Sequence, residues 1–509
     1  MGPVKRVLLG STAGIFAVAG AQAADLPVKA APVEYVRICS LYGAGFWYVP
    51  GTDTCIKIGS YVKLQTEYNA TNGPFMLGIS NVLTGDTGGR FTRTDTAPFT
   101  FNNRGMMSFD IRTQTEYGTL RSYFDIGAQT QGADTVAGSG AQGAAVALVS
   151  TRAFIQFAGF TVGRIRSFFD IYFQGVYAFA AQRFNADTSA NGIVGAAYTW
   201  QFGGGLSASF SLEDNSEGNS SRSRSTVNAN NNTFGLNTVT TDFKGNEFFD
   251  PVFNLRLDQA WGLVGVSAAL HDASGGYYTN LPGLAGCPLN NNVEGCGHPG
   301  DKFGWAVTAG TVLNNVFGLQ GDSFGAQAAY SKGAAGYAAP QIGGSAVFGP
   351  GLNLGLGWLV EGVYTNGSNV ELTTVWSANA GYEHRWDPKW RTSIYGGIVG
   401  VQYDDAAKNM ICNSNAVGGL AGGSTIRAAF GGACDPNFSL TEVGSRTLWN
   451  PVPDLDVGVD VVWWHLNTSF NGAVAALAQN GAKPAGNNYS VSNQDAVAAI
   501  FRIQRNFLY

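Results

Sequence analysis

The 509-residue chain carries 30 Lys and Arg against 35 Asp and Glu, a formal charge of −5, and this acidic balance argues against nucleic acid as a partner. Only 13% of the residues are charged, against about 25% in an ordinary soluble domain, whereas 70 are glycine and 12% are aromatic. Beyond the first two dozen residues no apolar run reaches the ~20 residues of a spanning helix, so a membrane reading requires a closed barrel, the other structure that satisfies every backbone group in lipid.

Lys5 and Arg6, the apolar run Val7–Ala19 and Ala21-Gln22-Ala23 have the layout of a secretory signal, which makes residues 1–23 a cleaved leader and Ala24 the mature start. Its loss takes the net charge two units further negative. Residues 24–54 read as a periplasmic lead ending in a Gly/Pro-rich loop between Cys39 and Cys55. The six cysteines fall as three near pairs, Cys39/Cys55, Cys287/Cys296 and Cys412/Cys434. Nearest-neighbour bridges are the simplest of the 15 connectivities that six cysteines allow, and they suit an oxidising compartment. The spacing does not suit a metal site, and no cofactor is expected.

From residue 55 the pattern is alternation. Ile56, Ile58, Val62, Leu64 and Tyr68 alternate with Lys57, Tyr61, Lys63, Gln65 and Glu67, so one face of a strand over 55–68 meets oil and the other water. A polar loop, Asn69–Thr96, follows. Met107, Phe109 and Ile111 then alternate with Ser108, Asp110 and Arg112. After a turn at Tyr117-Gly118-Thr119 beside Glu116, Phe124 and Ile126 alternate with Arg121, Tyr123 and Asp125. Thr151–Phe157 and Phe160–Ser167 form the next pair, with Arg152, Arg164 and Arg166 read as inward. The aromatic stretch from Phe168 to about Ala190 is either a loop covering apolar surface or a segment folded into a lumen; the residues alone leave both open. Further strands are expected over 192–201, 204–213, 251–261, 263–271, 303–314, 322–331, 354–364, 372–386, 390–403, 441–449, 454–466 and 496–509.

Long polar loops and short turns alternate between these strands, as in outer-membrane barrels. Trp200, Trp261, Trp386, Trp390 and Trp449 all flank short turns, where an interfacial aromatic girdle belongs. Asp454, Asp456 and Asp460 share one strand face without a histidine or nucleophile placed to work with them, and read as lumen-wall charge rather than as catalytic groups. The chain ends in an alternating strand with terminal aromatics, the natural partner of residues 55–68 in closing a barrel and the kind of signal that barrel-assembly machinery reads. The fold class is therefore an all-β transmembrane antiparallel barrel over 55–509. Length alone permits 16 or 18 strands.

The stretch VRICSLYGAGFWYVPGTDTCIKIGSYVK, with Gly163-Arg164 to Asp170, WNPVPDLDVGVDV and FRIQRNF, resembles the alphaproteobacterial general porins, which include the Brucella and rhizobial proteins. The resemblance covers essentially the mature chain. It implies sixteen strands, a homotrimer in the outer membrane, and a third outer loop, here about 168–190, folded inward as a constriction. Passive diffusion of small hydrophilic solutes and ions is then the expected function, with no reaction catalysed. Arg112, Arg121, Arg152, Arg164 and Arg166, joined by Lys57 and Lys63, are expected on one side of a transverse field. Asp170 and Asp187 are expected opposite them, with Asp110, Glu116 and Asp125 as further wall acids. A sugar-specific channel and a non-transport structural or adhesin barrel are the alternatives. A sugar channel would need an aromatic track, for which Tyr61, Tyr123, Phe154 and Tyr395 are the candidates.

Overall fold

The computed structural model describes residues 38–68, 99–131, 145–172, 174–179, 188, 192–216, 222, 225–230, 234, 242–245, 247–279, 294–340, 345–348, 353–415, 425–470, 472, 474–476 and 488–507. The leader, Asp187 and Cys287 lie outside these.

The alternation read from sequence folds into one antiparallel sheet that closes on itself. Its wall strands are β1 Thr54–Tyr68, β2 Phe99–Thr115, β3 Gly118–Gln131, β4 in two pieces (Ala145–Val149 and Ala153–Phe157), β5 Phe160–Ile165, β6 Ile193–Gly203, β7 Leu206–Asp214 and β8 Asp250–Gln259. They continue as β9 Gly262–Asp272, β10 Phe303–Asn314, β11 Ser323–Lys332, β12 Thr374–Arg385, β13 Trp390–Gln402, β14 Phe438–Trp449, β15 Leu455–Thr468 and β16 Gln494–Phe507. The sheet contains 18 stretches, but one is the arm Trp47–Tyr48 and β4 supplies two, so the wall has sixteen strands. Each strand pairs with its sequence neighbours, and β16 returns to β1 in the register Ser60↔Phe507 to Tyr68↔Ala499. Closure leaves no edge in lipid.

β16 stops at Ser60, so the first residues of β1 would present an open edge. Trp47↔Ile56 and Tyr48↔Cys55 cover it, and the Cys39–Cys55 bridge ties the preceding turn to the same place. Cys412–Cys434 closes the loop between β13 and β14, which carries a helix, Asp405–Asn413, whose Asp404 cap accepts from the Ala407 N–H. The expected bridge between Cys287 and Cys296 is not among those joining two described residues, because Cys287 lies outside them. Cys296 itself is buried at the end of the single helical turn Glu294–Cys296 and is disulfide-bonded rather than a free thiol.

One face of the wall is apolar, as the alternation predicts: Val62, Leu64, Met107, Phe124, Ile126, Val266, Val307, Val459 and Val461 all point out and are exposed. Trp200, Trp261, Trp386, Trp390 and Trp449 are exposed at the short-turn end, joined by Trp47. The segment 354–364, expected as a wall strand, is not one. Asn353–Trp358 and Gly362–Tyr364 belong to the loop between β11 and β12 and pair with other loop segments, including Thr226–Asn228 and Asn488–Val491. Residues 355–364 are buried without alternation, and a barrel strand needs one face toward lipid. These loops turn inward, so the main apolar core lies inside the barrel, where Trp358, Phe234, Phe430, Tyr403 and Trp464 are almost completely buried.

Candidate functional site

Of the connection between β5 and β6, residues 168–172 and 174–179 lie in the lumen along the inner wall from β9 round to β16. Ser267 Oγ of β9 donates to the Phe168 carbonyl at 3.2 Å, and the Tyr172 N–H donates to Gln327 Oε1 of β11 at 2.9 Å. Ser393 Oγ of β13 donates to the Tyr177 carbonyl, and Arg446 of β14 donates to that of Val176. The Phe179 N–H donates to Asp460 of β15, and the Arg502 guanidinium of β16 lies 3.9 Å from the centre of the Phe179 ring.

A lane of glycines on the inner wall admits the segment. Ile171 packs on Gly265 and Gly310, Tyr172 and Tyr177 on the cross-strand neighbours Gly325 and Gly381, and Phe179 on Gly458. A Cβ on Gly325 would lie 2.3 Å from the Tyr172 ring, so this approach requires glycine. Tyr395, a candidate for an aromatic track, is buried in the lumen core and donates its hydroxyl to Asp460.

The root of the segment is held by charge. Asp170 was expected to face the pore. Instead its side chain is fully buried, accepting from Arg222 and the Thr188 N–H, with Arg166 Nε at 3.7 Å. Arg222, from the loop after β7, also reaches Glu213 at 3.2 Å and lies against the rings of Tyr337 (4.5 Å) and Phe169 (5.2 Å). Burial raises the Tyr337 phenol well above its ordinary value, which keeps it a neutral donor to Asp250. Asp250 also meets His271, whose other ring nitrogen meets Glu361 at 2.9 Å. Loops after β5, β7 and β11 thus share one ionic knot with the wall.

The wall that the segment leaves uncovered is basic. Lys57 and Lys63 of β1, Arg104 and Arg112 of β2, Arg121 of β3 and Arg152 beside β4 sit at inward positions and keep partial exposure, as does Arg502 of β16 at the border, where Phe179 covers one side of it. Arg112 and Arg121 face each other across the strands and both bond Asp110 through Nε and Nη2 at 2.8–3.0 Å. Lys63 is the cross-strand neighbour of Arg104, which bonds Gln129. The acids are differently placed from the basic side chains. Asp110 is shared by two arginines. Asp125 is buried and accepts from the Arg152 N–H and from Thr151, which braces the break in β4. Glu67 is buried beside Gln65.

Two expected wall charges lie elsewhere. Arg164 is opposite Ala153 and Val194, on the face of the exposed Ile155 and Val162, because the alternation of β5 places Thr161 and Gly163 inward. Glu116 sits on the exposed turn between β2 and β3, below the lumen. Arg166 is partly exposed at the root of the segment. The charges opposite the basic wall are Asp460, on the strand whose aspartates read as lumen-wall charge, and two acids absent from the expected set, Glu383 with Arg446 and Arg391 and Glu442 with Trp464. Asp460 and Arg502 were visible as alternating charges on otherwise apolar strands. Arg104 was missed because β2 begins earlier than its clear alternation, and Arg222 because it stands in an Asn/Ser-rich loop.

At the short-turn mouth Tyr42 and Phe46 of the disulfide turn lie over Arg112, with ring centres 5.6 and 4.8 Å from the guanidinium carbon. Burial raises the Tyr42 phenol above its ordinary value, partly offset by a hydrogen bond with Thr119 and the field of Arg112, so it stays neutral there.

Residues 25–500 match the profile described as Porin subfamily. Porin Omp2a of Brucella ovis is 34% identical over 226 residues, 42% of this chain and 60% of that protein; porin Omp2b of Brucella suis is 32% identical over 219 residues, 41% and 52% of the two chains. The aligned stretch thus spans less than two thirds of either relative. Among solved structures, the outer membrane channel DcaP of Acinetobacter baumannii superposes with a TM-score of 0.53 at 12% identity, over 90% of this chain and 99% of that one, which is a likeness of fold.

Proposed function

The chain belongs to the Porin subfamily, and from that premise we propose that it is a passive, water-filled channel of the bacterial outer membrane for small hydrophilic solutes and ions, with a preference for anions. The carrying observation is the contrast between two inner walls. From β9 to β15 the inward side chains are covered by the inward segment and the outer loops. On β1 to β3 and β16, Lys57, Tyr61, Lys63, Arg104, Arg112, Arg121 and Arg502 retain contact with solvent. Exposed cations on a low-dielectric wall attract and partly dehydrate anions, whereas the facing acids are covered or already bonded.

The expected result in a planar bilayer is discrete conductance steps, with a reversal potential in a salt gradient shifted toward the chloride equilibrium value. Exchange of Lys63 and Arg104 for methionine and glutamine should move that potential toward zero. A barrel whose lumen is wholly filled would give no steps, and the inward core along β9–β15 is the observation that favours that second reading.

A trimer fits the same picture. β5 has six residues and β4 comes in two five-residue pieces, whereas lipid needs ~9–11 residues per strand. Neighbouring copies of the chain would shield this short face, after insertion by assembly machinery that reads β16.

A further inference from the structure

The Cys39–Cys55 turn is more than a brace for the edge of β1. Cys55 stands directly across from Arg112, and Lys57 directly across from Asp110. The bridge therefore delivers Tyr42 and Phe46 onto the innermost cations of the short-turn mouth. On the other flank Tyr123 and Phe154 stack at 5.2 Å, with the Arg121 guanidinium 5.6 and 5.3 Å from their centres. Two arginines on one carboxylate, each faced by an aromatic pair, form a rigid cationic frame whose geometry costs a ligand little to meet.

Two donors of this frame keep bonding capacity. Arg112 spends Nε and Nη2 on Asp110, and its Nη1 takes no hydrogen bond among the described residues. The Lys57 ammonium lies 6.0 Å from the centre of the same Phe46 ring and makes no ion pair among the described residues. Lys57, Arg112 and Arg121 bring three positive charges against the one carboxylate of Asp110. Arg112 and Arg121 keep 26% and 28% of their side chains exposed.

We propose that this cluster is an oxyanion-binding site at the periplasmic mouth, taking the phosphate or carboxylate of a small solute between Lys57 Nζ and Arg112 Nη1 against the edge of Phe46, and that the Cys39–Cys55 turn completes it. An oxyanion there gains charge-assisted hydrogen bonds from two fixed donors. Chloride is a single atom with no pair of oxygens to span them, so the site ranks solutes by geometry as well as by charge. The site lies at one end of the lumen, so its occupancy is sided.

The block assay rests on the channel reading above, so binding is measured separately. Inorganic phosphate is titrated into the detergent-solubilised full chain by calorimetry, and added to either side of a bilayer in constant chloride. Expected are saturable binding, current block from the short-turn side at lower phosphate than from the other, and a loss of affinity of about tenfold in Lys57→Met. Cys39→Ser/Cys55→Ser should lose a similar factor while conductance persists. Lys389→Met, which removes a charge from an exposed turn at the same end, should stay within about twofold of the parent. Equal affinity in Lys57→Met, an equal loss in Lys389→Met, or block of equal strength from both sides would each overturn the site. Calorimetric binding lost in Lys57→Met, in a barrel that shows no conductance, would uphold the site and sink the channel.

Discussion

Arg222→Met should lower the thermal stability of the folded barrel more than any single change at the lipid face. Arg222 is fully buried, as are the two carboxylates it joins, Asp170 and Glu213. Methionine fills much of the volume between Phe169 and Tyr337 but leaves both acids facing a partial charge deficit, with Arg166 Nε at 3.7 Å from Asp170 as the nearest replacement. Removing one partner from a buried ion pair costs about 3–5 kcal/mol, because the desolvated partner remains. The midpoint of heat-induced unfolding in detergent, read as the shift from the compact to the extended band on a gel, checks this. Neutralising the acids as well, in Arg222→Met/Asp170→Asn/Glu213→Gln, should recover most of the loss, since an uncharged polar set carries no unpaired charge. A silent Arg222→Met would mean that the loops after β5 and β7 are not tied together by this knot. The single variant should also raise open-channel noise, because the root of the inward segment loses its clamp.

The wall was legible in sequence because lipid imposes a rule on every strand. A residue facing the bilayer must be apolar, so the period of two survives in β1, β2, β3 and β15 with few errors. The girdle was legible for the same reason: Trp at short turns follows from the interface, with no tertiary contact needed. The rule also explains the one wall strand that was wrong. Residues 354–364 are as apolar as a strand, but 355–364 are buried among other loops and the inner wall, and a run such as Leu354-Gly355-Leu356-Gly357-Trp358 carries no mark of which oil it enters.

The lumen was less legible, because water imposes no comparable rule. Lys57, Lys63, Arg112 and Arg121 were readable as inward from parity alone. Arg164 was not, because its parity within β5 follows from Ile155 and Val162 on the outward face, and six residues give the pattern little length. Whether an inward acid is free or bonded is a matter of neighbours far along the chain. Asp170 depends on Arg222, and Asp460 on Phe179, 281 positions apart. Nor does a glycine show in sequence whether it marks a turn or makes room. Gly325, Gly381 and Gly458 act as the bed of the inward segment, a role that no local pattern marks.

Gly381→Val is the change expected to alter conduction most. The Cβ of any residue at 381 would lie 2.7 Å from the Tyr172 hydroxyl and from the Tyr177 ring, and the cross-strand Gly325 is already filled by Tyr172. Neither ring can retreat into the wall, and Tyr177 is also held through its carbonyl by Ser393. The segment must therefore lift toward the open half of the lumen while its ends stay bound to Gln327 and Asp460. Overpacking of this kind costs about 1–3 kcal/mol, and displacement toward Lys63, Arg104 and Arg502 narrows the conducting side. Single-channel conductance should fall in the order parent, Gly381→Ala, Gly381→Val, with a parallel fall in the unfolding midpoint. Gly105→Ala is the matched control, because nothing lies within 4 Å of a Cβ built at that position on β2; it should leave both readings unchanged. A rise in conductance in Gly381→Val would show that the segment leaves the lumen when unseated, making its anchors at Gln327 and Asp460 weaker than the contact with the glycine bed. No change in either quantity would mean that Tyr172 and Tyr177 do not rest on the wall at all, and the division of the lumen into a filled and an open half would fall with it.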